Sequence, residues 1–295
     1  MEFSRLMLGT VQFGLNYGIN NSQGQPSLDK VKAILRAAAD GGINVLDTAR
    51  NYGDSEEVLG IALAECGLEK HFKIVSKIKL LPDDAAAEDV PEFYKNSITT
   101  SLAYLKRDTL DGLLLHHEKD REYFELMNMA LENNWSKAIG ASLDSIEGSP
   151  ADITGKLMMT QLPGNILDRR FFAAAKDIKS RGGKVFCRSV YMQGLLLMDE
   201  EKVDAKFAPI LTVRRKLEAL AKEAGIVPAE LYFRYLLSLD MIDCVLTGVD
   251  DVKQLQENIR LAERGALPED LLKAVDELVP ELPECYLRPS CWSSL

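Results

Sequence analysis

Along this chain, short apolar runs alternate with longer stretches in which apolar positions recur every three or four residues, and the two periods predict two kinds of element. The short runs are residues 5–10 (RLMLGT), 43–47 (INVLD), 72–77 (FKIVSK), 111–116 (DGLLLH), 136–141 (SKAIGA), 156–161 (KLMMTQ), 183–189 (GKVFCRS) and 241–248 (MIDCVLTG). Each is continuous in its apolar character, as strands covered on both faces should be. Between them lie amphipathic runs such as LDKVKAILRAAADGG, SEEVLGIALAECG, VPEFYKNSITTSLAYL, EYFELMNMALENN and RRFFAAAKDIKSRGG. Several end in glycine or open with proline, the punctuation expected of helices. Eight strands, mostly separated by single helices within 295 residues, predict a TIM (β/α)8 barrel forming a single domain over residues 1–295. A doubly wound open sheet is the rival architecture, but no GxGxxG turn follows an early strand, and such a sheet would normally carry one. Residues 80–91 read as a loop, and residues 280–295 as an irregular tail lying over the barrel.

Composition narrows the class of partner. A net charge of -10 repels nucleic acids and acidic membranes, apart from any local basic patch. The N-terminus has no basic region followed by an apolar one, and nowhere do eighteen apolar residues run without charge, so the expectation is a soluble, cytoplasmic protein. Cys66, Cys187, Cys244, Cys285 and Cys291 are odd in number and contain no CxxC pair. They are expected to be reduced thiols rather than a disulfide framework or zinc site.

In a barrel of this kind functional side chains sit at the carboxyl ends of the strands. Asp47 ends the second strand, Tyr52 lies in the loop after it, Lys77 ends the third strand and His116 ends the fourth. Each has an ordinary structural explanation when taken alone: Asp47 as a helix cap, Lys77 as a rim residue, His116 as a core histidine. One fold assignment places all four at one mouth.

LDTARNYGDSEEVLG, IVSK and DGLLLHH resemble the three signature segments of the aldo-keto reductase superfamily. The likeness extends to LMLGTVQFG, IGAS, TQLPGNILDRR, VFCRSVYMQGLL and LTGVDDVKQLQENI. The resemblance implies a barrel enzyme that uses NADH or NADPH to interconvert an aldehyde or ketone with its alcohol. A developing alkoxide needs a general acid, and the resemblance assigns that part to Tyr52. A phenol's ordinary pKa is about 10. Lys77 is expected to lower it, with Asp47 holding Lys77 charged; His116 would orient the substrate carbonyl.

By the same resemblance Ser142 and Gln161 would bind the nicotinamide carboxamide, with Asn165 nearby. Arg188 stands where the family often stacks an aromatic ring, and a planar guanidinium can also stack. Gly9, Thr10, Gly194 and Leu195 are expected along the pyrophosphate and ribose channel, and Gly248, Asp250, Gln254, Glu257 and Asn258 at the adenosine end. There Asp250 occupies a position where an arginine is common, and Lys253 is the only base nearby. A carboxylate repels a 2′-phosphate and accepts hydrogen bonds from a ribose diol, so the segment leans toward NADH. Residues 13–27, with Gly14, Gly18 and Gly24, read as a polar loop at the mouth, suited to a hydroxylated substrate such as a sugar or to solvent alone. Tyr17, Tyr191, Tyr286 and Trp292 are candidates to enclose the substrate or to anchor the tail. His117 is expected to point away from His116. Two further classes stand beside the reductase: a cofactor-binding regulatory subunit or sensor with little turnover, and a metal-dependent hydrolase using Asp47, His116 and His117. The second is short of ligands, since the chain has only three histidines.

Overall fold

A computed structural model describes residues 1–17, 24–145 and 155–295. Eight parallel strands close into a barrel in chain order: β1 (Leu6–Gly9), β2 (Val45–Asp47), β3 (Lys73–Lys77), β4 (Gly112–Leu115), β5 (Ile139–Ser142), β6 (Met159–Pro163), β7 (Lys184–Arg188) and β8 (Cys244–Gly248). The ring is completed by β1 against β8, with Leu6 opposite Val245 and Gly9 opposite Gly248. All eight expected strands are present. The sixth begins later than its apolar run suggests, because register with β5 pairs Gly140 with Met159 and Ser142 with Gln161.

The pleat sorts the core into two layers. Met7, Val45, Val75, Leu114, Ala138, Met159, Phe186 and Cys244 meet inside the barrel, while the intervening positions, among them Leu8, Leu46, Ile74, Leu113 and Val185, face the helices. Phe3 closes the amino end of the barrel, edge-on to Phe186 with ring centroids 5.3 Å apart. Two-residue steps from the interior layer reach Gly9, Asp47, Lys77, His116, Ser142, Gln161, Arg188 and Gly248, so one parity rule turns these eight positions toward the barrel axis at its carboxyl end.

Helix Leu28–Asp40 illustrates how the outer layer forms. Ser27 caps it, Asp29 lies in its first turn, and Val31, Ile34, Leu35 and Ala38 form the buried stripe. Their spacing covers one helical face. The amphipathic run at 122–134 departs from its expected helix: Glu118–Met127 is a 3-10 helix and only Asn128–Glu132 is α-helical. Polar ties hold its start, where Glu118 accepts the N–H groups of Asp144 and Ser145. The tail is also more ordered than expected, with a short helix Glu284–Leu287 and a 3-10 helix Pro289–Ser294. Among the described residues no helix is long and apolar enough to cross a membrane, and all five cysteines are free thiols.

Candidate active site

Lys77 is the centre of the mouth. Its Nζ donates to Asp47 Oδ1 at 2.6 Å, to the carbonyl of Thr48 at 3.0 Å and to the phenol oxygen of Tyr52 at 3.1 Å. That uses all three ammonium hydrogens. Asp47 and Lys77 are almost wholly buried, at 2% and 1% exposure, a depth at which an ion pair persists only with close partners. Asp47 Oδ1 gains a second donor in Gln161 Nε2 at 2.7 Å. His116 lies edge-on to Tyr52, ring centroids 5.7 Å apart, and its buried Nδ1 has no protein partner.

The loop that carries Tyr52 sits on main chain. Ser55 donates its N–H to the Tyr52 carbonyl, and a Cβ on Gly14 would fall 1.9 Å from that same carbonyl oxygen. Gly53, at φ +58, would in turn meet the carbonyl of Gly14 at 2.2 Å. Only glycine fits either place. Gly14, read from sequence as part of a solvated loop, is thus a packing contact under the catalytic candidate; Gly18 lies outside the described residues.

Electrostatics corrects one expectation. Burial raises the Tyr52 pKa above that of a free phenol; the Lys77 charge opposes this without reversing it, and Asp47 adds to the rise. Lysine and aspartate face the phenol as a pair, so the cation acts only in part. Burial disfavours the Lys77 charge, but Asp47 and Tyr52 outweigh it and hold its pKa above the ordinary value. Burial, aided by Lys77 and Arg188, pushes His116 down to about 3. Near neutrality the site therefore presents a protonated phenol, an ammonium and a neutral imidazole.

A cavity of about 490 Å³ opens over this cluster, within the range of small-molecule sites. Gly9, Asp47, Tyr52, His116, Ser142, Gln161, Arg188, Gly194, Gly248 and Asp250 all border it. Other expected residues are placed elsewhere. Thr10 is fully buried and bonds the Asp47 carbonyl and Ser55 Oγ, each at 2.9 Å; it fastens β1 to β2. Leu195 packs in the outer core. Asn258 Nδ2 donates to Thr247 Oγ1 at 3.2 Å, and Glu257 pairs with Arg260 on the surface. Asn165 accepts the N–H groups of Leu167 and Asp168 and donates to the Ser189 carbonyl, shaping the turn after β6.

The two adjacent aspartates after β8 differ in use. Asp251 caps helix Val252–Glu263 by accepting the Gln254 N–H at 2.9 Å. Asp250 borders the cavity, and its buried Oδ1 has no protein partner. Gln254 is its support, accepting the Asp250 N–H at 2.9 Å.

Sequence reading missed Gln12, Asp144, Ser189 and Gln193, which also line the cavity. The signal for Asp144 was its place two positions beyond inward-facing Ser142. His117 borders the cavity as well, contrary to its expected direction, because β4 ends at Leu115 and alternation does not carry as far as the second residue after it. Tyr17 and Tyr191 border the mouth. Trp292 instead packs edge-on against Phe207 and donates to the Tyr286 carbonyl, so these two aromatics anchor the tail. Among the described residues no group of three or more His, Cys, Asp or Glu side chains is arranged to hold a metal.

Residues 5–280 match the model of the Aldo/keto reductase family. A probable voltage-gated potassium channel subunit beta from Arabidopsis thaliana is 25% identical, with 96% of this chain and 97% of that protein covered. An uncharacterized oxidoreductase from Bacillus subtilis is 24% identical over 84% of this chain and 87% of its own length. Among solved structures, the holo form of an aldo-keto reductase from Bacillus halodurans superposes with a TM-score of 0.78 at 20% identity, covering 96% of this chain and 94% of that one.

Proposed function

Since this chain belongs to the aldo/keto reductase family, and so to the carbonyl/alcohol oxidoreductases, we propose that it is an NAD(P)-dependent enzyme that interconverts an aldehyde or ketone with its alcohol, with Tyr52 as the general acid. The observation that carries this reading is the placement of Lys77 Nζ between Asp47 and the Tyr52 phenol, both of which border the cavity together with His116. Ser142 and the free oxygen of the Gln161 amide are suited to a nicotinamide carboxamide, and Arg188 to its ring. The unpartnered acceptors Gln12 Oε1 and Asp250 Oδ1 suit the donors of a dinucleotide. When bound, the nicotinamide supplies or accepts the hydride.

In the reducing direction the raised pKa of Tyr52 keeps its proton on the oxygen until an alkoxide develops. Lys77 then donates a hydrogen bond to the phenolate left behind, at an atom it already touches. Neutral His116 retains one N–H to hold the substrate oxygen. The first test is titration with NADH and NADPH, followed by oxidation of the bound nucleotide with a panel of aldehydes, ketones and sugars. Binding with turnover supports the reading, and failure to bind either nucleotide overturns it. The Arabidopsis relative is described as a probable channel subunit, and that favours a second reading of this chain, a cofactor-binding regulatory subunit. Tight binding with no turnover across the panel would support that instead.

The pH dependence follows from the two shifts. Reduction needs Tyr52 protonated, so its rate is lost only as pH rises through a phenol pKa above the ordinary value of 10.0. Alcohol oxidation needs the phenolate and gains rate over the same interval. With His116 at about 3, kcat/KM for reduction is expected to show no limb between about pH 5 and 8, where a free histidine would titrate. A limb in that interval that disappears in His116→Gln would contradict a neutral imidazole.

The carboxylate of Asp250 is the basis for a preference for NADH. Asp250→Arg exchanges a repulsive charge for one that can pair with a 2′-phosphate. It is expected to move the ratio of NADPH to NADH affinity by roughly tenfold or more, about 1.4 kcal/mol. Unchanged relative affinities in fluorescence titrations would show that the adenosine end lies elsewhere.

A further inference from the structure

The carboxylate of Asp144 is gripped from two sides. Arg188, at the end of β7, places Nη2 3.1 Å from Asp144 Oδ1 and 2.9 Å from the Leu143 carbonyl. From the last segment of the chain, Arg288 Nε donates to the other oxygen, Oδ2, at 2.9 Å. Glu118, buried at 3% exposure, fixes the backbone of the same turn by accepting the Asp144 and Ser145 N–H groups at 2.9 and 2.8 Å.

An arginine has many rotamers, and holding it in one costs entropy unless its N–H groups are engaged. Here Nη2 is engaged by a carboxylate and a carbonyl and Nη1 by Ser189 Oγ at 3.3 Å, while Arg188 borders the cavity. Glu118, Asp144 and Arg288 form no part of the strands that carry Arg188, yet together they decide where its plane lies.

We propose that Asp144 is the positioning residue that fixes the plane of the Arg188 guanidinium against the cofactor ring, and that Arg288 makes docking of the chain's last segment part of that arrangement. This rests on the reading of the cavity as a nicotinamide site. Asp144 is also the only group placed between the two arginines by these bonds. Without its charge the two guanidinium groups lose the carboxylate they share, Arg288 keeping only Glu284 at 3.8 Å, and like charges repel. Loss of Asp144 is therefore worse than loss of Arg288.

The test measures NADH affinity by fluorescence titration, and kcat and KM with an active carbonyl substrate, on the full chain. Asp144→Asn keeps the side-chain volume and the grip of Glu118 on the backbone. It is expected to weaken NADH binding about tenfold and to lower kcat. Arg288→Gln is expected to weaken binding about threefold, and the double variant to be no worse than Asp144→Asn alone, since Arg288 acts through that carboxylate. Lys206→Met cuts a different tie to the same tail, from Lys206 Nζ to the Trp292 carbonyl at 2.6 Å, and is expected to leave NADH binding unchanged. A general loosening of the tail would instead give additive losses and an effect in Lys206→Met, and that pattern would overturn the proposal. Unchanged affinity and kcat in both Asp144→Asn and Arg288→Gln would do the same while leaving the cofactor reading intact. Should Asp144→Asn fail to fold, Arg288→Gln decides alone. Failure of the unmodified protein to bind NADH or NADPH would remove both readings.

Discussion

Tyr52→Phe is expected to lower carbonyl reduction by about 10²- to 10⁴-fold, the usual worth of a positioned proton donor, while the dissociation constant for NADH changes by less than about twofold. The ring remains, so its edge-on contact with His116 is kept. Lys77 loses one acceptor of three and keeps Asp47 and the Thr48 carbonyl. Nothing else in the cluster can replace the missing proton: Lys77 is committed to its ion pair, and His116, with a pKa near 3, is neutral and a poor acid for an alkoxide. Steady-state rates with the best substrate of the panel, beside a nucleotide titration of the same sample, check both halves. Retained turnover would remove Tyr52 from its role, and a large loss of nucleotide binding would show that the phenol does something other than supply a proton.

The second large effect concerns stability. Lys77→Met leaves Asp47, 2% exposed, as a buried carboxylate whose remaining side-chain donor is Gln161. Breaking one side of a buried pair costs about 3–5 kcal/mol, so the midpoint of denaturant unfolding should fall markedly with little change in slope. Adding Asp47→Asn to Lys77→Met removes the uncompensated charge and should recover most of that loss, with no recovery of turnover. Two variants equally inactive but far apart in stability would separate the cost of the buried charge from its chemical use. A single variant as stable as the unmodified protein would mean that the pair is not held as tightly as a 2.6 Å contact implies.

Much of this arrangement was legible before any coordinates. The strands announce themselves because each is short and mostly apolar, and the polar residue that ends such a run is conspicuous. Asp47, Lys77 and His116 were found that way, and alternation along a strand then orients them. What escaped notice depends on contacts between distant segments. Asp144 and Arg288 are separated by 144 positions, and no local period links them. Thr10 and Gly14 looked like site residues or loop residues because their neighbours do; only packing against Ser55 and the Tyr52 carbonyl gives them structural work. The acidity of Tyr52 was misjudged for a related reason: sequence brings Lys77 to the phenol but cannot weigh burial against it. His117 shows the limit of strand parity, which still places His116, one residue past the end of β4, and fails at the next.

The glycine contacts beneath Tyr52 bear on how such a protein diversifies. Because main chain meets main chain at Gly14 and Gly53, the position of the phenol is insensitive to the identity of most surrounding side chains. The loop that carries Tyr52 thus rests on backbone contacts that side-chain changes around it leave in place. On the opposite side, Arg188, Asp144 and the tail hold one another through side-chain pairs that a single substitution can redirect. One arc of the rim is therefore held by backbone contacts that most substitutions leave alone, and the other by side-chain pairs that a single substitution breaks.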